Sequence, residues 1–163
     1  MKQITLYLDM DGVLANFDKA YHSYNYPLND AKKFRSSVLN HKIFTELELM
    51  PDAQKLLNFV ATLKNIKIEI LTSVGTLNVE QGEAGKEQKL YWLNKHGIKY
   101  KANFVKGKAE KANYADPYSI LIDDSIGCIT PFIKAGGYGI LHTSAEESIE
   151  ELKYILNRLN YDA

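Results

Sequence analysis

The chain opens on a short apolar run, Ile4-Thr5-Leu6-Tyr7-Leu8, which passes straight into Asp9-Met10-Asp11-Gly12. A run of this length closed by a glycine predicts a strand buried on both faces. Beyond it, Phe17, Ala20, Tyr21 and Tyr24 recur at helical spacing. Pro27-Leu28-Asn29-Asp30 is turn-like, and residues 31–39 predict a second short helix. Pro51-Asp52 opens a helix with the stripe Ala53, Leu56, Leu57, Val60, Ala61 and Leu63. Residues 66–71 predict a second strand, ending in Thr72-Ser73. A polar loop carrying Gly75, Gly82 and Gly85 is expected next, then a helix over 86–96 that Gly97 stops. A third strand over 102–105, a short helix over 108–115 and a fourth strand over 119–122 follow, the last ending in Asp123-Asp124-Ser125. Thr130 is expected to cap a helix that begins at Pro131 and ends at Gly136-Gly137. A fifth strand over 138–141 and a final helix from the capping box Ser144-Ala145-Glu146-Glu147 to about Leu159 complete the pattern.

Strands that alternate with helices predict an α/β fold: a Rossmann-like, parallel five-stranded sheet with helices on both faces and right-handed crossovers. The core would comprise residues 1–15 and 51–163, with 16–50 forming a small helical cap inserted after strand one. A length of 163 residues agrees with one domain plus an insert. Lys+Arg and Asp+Glu balance at 20 each, so no global charge calls for a nucleic-acid partner. The only arginines are Arg35 and Arg158, which makes bidentate guanidinium recognition an improbable main device. One cysteine, Cys128, excludes an internal disulfide and fits a reducing compartment. No apolar run reaches membrane-spanning length, so a cytoplasmic protein without a membrane partner is expected.

In a parallel sheet all strand ends named above lie along one edge, where open α/β sheets bind ligands. That edge collects Asp9 and Asp11, Thr72 and Ser73, and Asp123 and Asp124. Lys108 and Lys111, three residues apart, share a helical face beside it. Carboxylates are rarely buried without compensation, and a hard divalent cation supplies it. Hydroxyls, a lysine and Mg²⁺ suit phosphate oxygens, and a carboxylate can attack phosphorus to form an aspartyl-phosphate.

D-x-D-G-V at 9–13, L-T-S at 71–73, a lysine, and L-I-D-D at 121–124 resemble, in order and placement, the four motifs of the haloacid dehalogenase (HAD) superfamily of phosphatases. The stretches 9–17, 89–93 and 120–124 resemble most its 5′(3′)-deoxyribonucleotidase branch, although the insert is shorter than the helical cap of that branch. The resemblance implies a Mg²⁺-dependent phosphomonoester hydrolase acting on nucleoside monophosphates. Asp9 would be the nucleophile and Asp11 the acid that protonates the leaving oxygen and then activates water. Thr72 or Ser73 would bind a phosphoryl oxygen, with Lys111, or else Lys108, neutralising charge. The spacing to Asp123 favours Lys111. Mg²⁺ would be held by Asp9, the backbone carbonyl of Asp11, and Asp123 or Asp124. A sugar phosphate or a nucleic-acid end is an alternative substrate, and a phospho-accepting switch domain an alternative role.

Phe17, Tyr21, Tyr24 and Phe44 in the insert either pack on the core or line a slot where a base stacks. Cys128 is expected to be a small core residue, because no histidine is evident beside it. His22, His41, His96 and His142 have no ligand spacing, and the three loop glycines predict a mobile loop near the site.

Overall fold

The computed structural model describes residues 2–27 and 29–159. Leu28 of the expected turn lies outside the described residues. Five strands, β1 (Ile4–Leu8), β2 (Ile66–Ser73), β3 (Lys101–Val105), β4 (Ser119–Asp123) and β5 (Tyr138–Leu141), form one parallel sheet in the order β3-β2-β1-β4-β5. The chain steps outward from β1 through β2 and β3, then crosses to the other side of β1 for β4. This reversal makes the β1–β4 seam the topological switch point, the position where ligands bind in such sheets.

Side chains of each strand alternate between two apolar layers. Leu6, Leu8, Ile70, Ile120 and Ile122 join the larger layer with Leu56, Trp92 and Leu152. Leu71 and Leu121 face the other, with Ile129, Phe132 and Tyr7 packed against them. Helices α3 (Ala53–Val60) and α6 (Ala145–Arg158) cover one face, while α5 (Ile126–Lys134) packs with a 3-10 stretch, Lys108–Tyr114, on the other. Burial on both faces explains why the central strands β1 and β4 read as near-continuous apolar runs.

The insert leaves the core after Ala15 and returns at Leu49, where those two residues form an antiparallel bridge. It carries α1 (Phe17–Ser23), α2 (Asp30–Leu39) and a 3-10 turn, Ile43–Glu46. Helix α4 (Val79–Lys95) holds it down. The Trp92 indole N–H donates to the Leu47 carbonyl at 2.7 Å, and the Gln88 amide donates to the Val38 carbonyl at 2.8 Å.

Three elements differ from the sequence expectation. Helix α4 starts at Val79, not at 86, so Gly82 and Gly85 lie inside a helix rather than in a loop. Glycine disfavours helix by about 1 kcal/mol, and a Cβ at either position would meet its neighbours only at ordinary contact distance. A Cβ on Gly85 would meet Phe44 at 3.7 Å and Val74 at 3.9 Å. Asn78 caps the helix by accepting from the Gln81 N–H. Helix α5 starts at Ile126, leaving Pro131 in its interior. The helix begins there because the Asp123 carboxylate accepts from the Ser125 N–H at 2.9 Å, immediately beyond the strand. Burial of Cys128, Ile129 and Phe132 then outweighs the one backbone bond that proline removes. Finally, residues 108–114 wind as a 3-10 helix.

Candidate active site

The sheet register sets the site. Leu8 is level with Ile70 on one side and Ile122 on the other, so the residues that follow it emerge beside Thr72 and Asp123. Asp9, Asp11 and Asp123 floor a cavity of about 850 Å³ that Ser73, Lys111 and Asp124, among others, also line. Past β1 the chain turns tightly, with the N–H groups of Leu14 and Ala15 both donating to the Met10 carbonyl at 2.9 Å. Gly12 takes φ +86° there, a left-handed conformation open chiefly to glycine.

Lys111 is the cation at the floor. Its ammonium, 1% exposed, donates to Asp9 Oδ1 at 2.9 Å and to Asp123 Oδ2 at 2.6 Å. Burial alone would lower the Lys111 ammonium, but Asp9 and Asp123 outweigh it and hold it above its ordinary value. Lys108 sits one 3-10 turn earlier, exposed on the cavity rim. The structure thus separates two lysines that share a face into one at the floor and one at the mouth.

Burial, with Asp123 and Asp11 adding to it, pushes the Asp9 carboxyl up against the lowering pull of Lys111. Asp124 is pushed up to about 6, by burial and then by Asp123. Each of Asp9, Asp123 and Asp124 offers an oxygen within 4.8 Å of the others. These three with Asp11 make four carboxylates against the two buried ammoniums of Lys89 and Lys111, a surplus of negative charge. A set of hard oxygens with net negative charge fits Mg²⁺, which prefers carboxylates and water to nitrogen or sulfur donors.

The two hydroxyls part company. Ser73 lines the cavity, with its Oγ accepting from the Gly75 N–H at 3.0 Å. Thr72 is fully buried and off the cavity wall, its Oγ1 accepting from Lys89 at 2.7 Å. Strand alternation turns neighbours to opposite sides, so the pair cannot both face one ligand by side chain.

The insert supplies the upper wall through Phe17, Phe34 and Phe44, with Phe17 stacked on Phe44 at 5.4 Å. Tyr21 and Tyr24 are not on that wall. Tyr21 stacks behind Phe17, and the Tyr24 hydroxyl pairs with Ser36 Oγ at 2.7 Å while its ring stacks on His41. Cys128 also borders the cavity, but burial pushes its thiol up to about 12, so it carries no thiolate. His142 is buried against Ser148 at 2.6 Å, a structural pair.

Sequence reasoning missed Lys89 and Phe34. Lys89 is the more consequential, because its buried ammonium donates to Asp11 Oδ2 at 2.9 Å. A signal existed: Gly85, Lys89, Trp92 and Leu93 fall at i, i+4, i+7 and i+8, which places a lysine within the buried stripe of a helix. Reading 75–85 as loop hid that stripe.

No family model and no curated protein matches this sequence. Solved structures do match its fold. A hydrolase from Streptococcus pneumoniae TIGR4 aligns over 96% of this chain and 100% of its own at 16% identity, TM-score 0.53. The L-2-haloacid dehalogenase from Xanthobacter autotrophicus aligns over 85% of this chain and 76% of its own at 10% identity, TM-score 0.51. A HAD-hydrolase from Bacillus subtilis, solved with magnesium bound, aligns over 96% of this chain and 100% of its own at 14% identity, TM-score 0.50. At such identities the likeness is one of architecture: this chain has the α/β fold of the haloacid dehalogenase-like hydrolases.

Proposed function

We propose that this protein is a Mg²⁺-dependent phosphomonoester hydrolase that works through an aspartyl-phosphate on Asp9 and acts on nucleoside monophosphates. The observation that carries this reading is the Lys111 ammonium bridging Asp9 and Asp123 at the floor of a cavity roofed by phenylalanines. Such a floor recognises an anion only if a further cation offsets its carboxylates. Asp9, Asp123, Asp124 and the backbone carbonyl of Asp11 are the groups that would hold Mg²⁺, which supplies charge neutralisation to a bound phosphoryl group.

An Asp9 oxygen forms a bond to phosphorus as the bond to the ester oxygen breaks, and Asp11 gives that oxygen its proton. Water then attacks phosphorus, Asp11 takes the water's proton, inorganic phosphate departs and the Asp9 carboxylate is restored. Lys111 lies where charge on the phosphoryl oxygens would be neutralised, and Ser73 Oγ faces the same space. Lys108 at the rim would attract the dianion.

The same fold houses a dehalogenase, but a departing halide needs no proton, and Asp11 would have no task in that chemistry. The single cysteine is in keeping with a cytoplasmic site of action. The deciding experiment is a substrate panel with Mg²⁺: deoxy- and ribonucleoside monophosphates, sugar phosphates, a 5′-phosphorylated oligonucleotide and 2-chloropropionate. Preferential release of phosphate from nucleoside monophosphates is expected, abolished in Asp9→Asn. Halide release, or phosphatase activity retained by Asp9→Asn above about a tenth of the unmodified protein, would overturn it.

A further inference from the structure

Lys89 has no place in the chemistry above, yet it is the most completely enclosed charged side chain beside the cavity. Its exposure is 0%, on a helix whose other polar residues mostly face solvent. Its three protons are all committed, to Asp11 Oδ2 at 2.9 Å, Thr72 Oγ1 at 2.7 Å and the Ser73 carbonyl at 2.9 Å. An ammonium has only three donors, so none remains for a substrate. The Phe44 ring, 4.6 Å from the ammonium, closes off its remaining side. Lys89 does not line the cavity, whereas Asp11 does.

The two Asp11 oxygens are correspondingly unlike. Oδ2 is held by Lys89. Oδ1 is buried with no hydrogen-bond partner among the described residues. Buried polar atoms are nearly always paired, so an orphan beside a cavity calls for a partner that binds there, whether water, ion or substrate.

Resting on the phosphomonoesterase reading, we infer that Lys89 is the positioning residue for Asp11: it grips Oδ2 so that Oδ1 alone is presented to the ester oxygen and then to water. The bond to Thr72 ties the same ammonium to the end of β2, so the acid/base is referenced to the strand edge rather than to the turn that carries it. The Phe44 contact ties it to the insert. In the first half-reaction the proton on Oδ1 passes to the departing oxygen, and the carboxylate left behind remains paired to the Lys89 ammonium. In the second, Oδ1 accepts the water proton while the bond from phosphorus to Asp9 breaks.

A positioning role leaves a signature that loss of structure does not. A nitrophenolate leaves readily without a proton, whereas an alkoxide needs one. For both esters kcat/KM reports the steps through phosphoryl transfer to Asp9. The test compares kcat/KM of Lys89→Met on p-nitrophenyl phosphate and on ethyl phosphate with Mg²⁺, alongside a thermal melt. General acids contribute about 10²–10⁴-fold. The expected loss is therefore at least about tenfold larger for ethyl phosphate than for p-nitrophenyl phosphate, and Asp11→Asn should erase the further effect of Lys89→Met. Should Lys89→Met not fold, Lys89→Gln, which keeps a neutral donor, enters the same comparison. Equal losses on both esters, or no loss, would overturn the inference while leaving the phosphatase reading intact. An unmodified protein that releases phosphate from neither ester nor from any nucleoside monophosphate would remove both.

Discussion

The Asp124 carboxylate occupies the space that a side chain on Gly12 would need: a Cβ there would overlap its Oδ2 outright. Gly12 is required twice over at this turn, because its φ of +86° also disfavours any side chain. The glycine of the D-x-D-G motif is thus a spacer for the fourth acidic group, not only a turn former. Gly12→Ala should push Asp124 out of the cradle while leaving the buried strand pairing in place. Groups that orient metal ligands are worth about 10–100-fold in metal affinity. A rise of that size in the Mg²⁺ concentration for half-maximal activity is expected, read by titrating Mg²⁺ against phosphate release. An unchanged Mg²⁺ requirement would mean that Asp124 takes no part in holding the ion.

Metal and proton should compete for the same cradle. The folded-state values of Asp9 and Asp124 both lie above the ordinary carboxylate value, that of Asp124 at about 6. A raised carboxyl stabilises the fold fully only below its unfolded value, near 3.9, and that contribution is lost as pH rises through the folded value. Without metal, these two groups therefore make the protein less stable at pH 8 than at pH 5. Mg²⁺ at a hundredfold excess over its dissociation constant contributes about 2.7 kcal/mol, or roughly 5–10 °C in Tm for a chain of this size. The Mg²⁺-induced rise in Tm should be near that figure at pH 8 and much smaller at pH 5. Equal rises at both would place the ion elsewhere.

The two lysines of the 3-10 stretch make a sharper contrast than helical spacing suggests. Lys111 is enclosed between Asp9 and Asp123, and Lys108 projects at the mouth. Charge developing on the phosphoryl group is felt most by the enclosed ammonium, since low dielectric strengthens the interaction. Lys111→Met should lower kcat by about 10²-fold or more, and Lys108→Met should raise KM modestly with kcat unchanged. The reverse pattern would assign the phosphate to the rim.

Much of this site was legible because strand ends in a parallel sheet share one edge and the register is set by apolar pairing. Leu8 opposite Ile122 and Ile70 leaves little freedom in where Asp9, Asp123 and Thr72 emerge. What was not legible depends on packing across the sequence. Gly82 and Gly85 read as loop because glycine disfavours helix locally, whereas both lie inside α4, whose other buried residues pack inward. Pro131 read as a helix start because the true start is set by the Asp123 carboxylate bonding to the Ser125 N–H. The exchange of Thr72 for Ser73 on the cavity wall follows from Lys89, which lies 17 residues away from Thr72.

The roof of the cavity sets fully buried Phe44 apart from Phe17 and Phe34, which are half-buried on the cavity wall. Phe44 is 1% exposed, stacked on Phe17 and laid over Lys89, so its truncation would disturb the Lys89–Asp11 pair as well. Phe34 is only half-buried, stands edge-on to Phe17 and Phe44, and faces Gly75 across the mouth, where a Cβ would come within 3.1 Å of its ring. Tyr24 lies behind this layer, paired to Ser36 and stacked on His41. A base stacking on an aromatic ring is worth about 1–3 kcal/mol by alanine substitution. Phe34→Ala should therefore raise KM for a nucleoside monophosphate by roughly tenfold and spare that for ethyl phosphate, which has no ring to stack. Tyr24→Ala should lower Tm and leave the ratio of the two KM values unchanged. A shift of that ratio in Tyr24→Ala, with none in Phe34→Ala, would move the recognition of the base away from the cavity wall and onto the outer face of the insert.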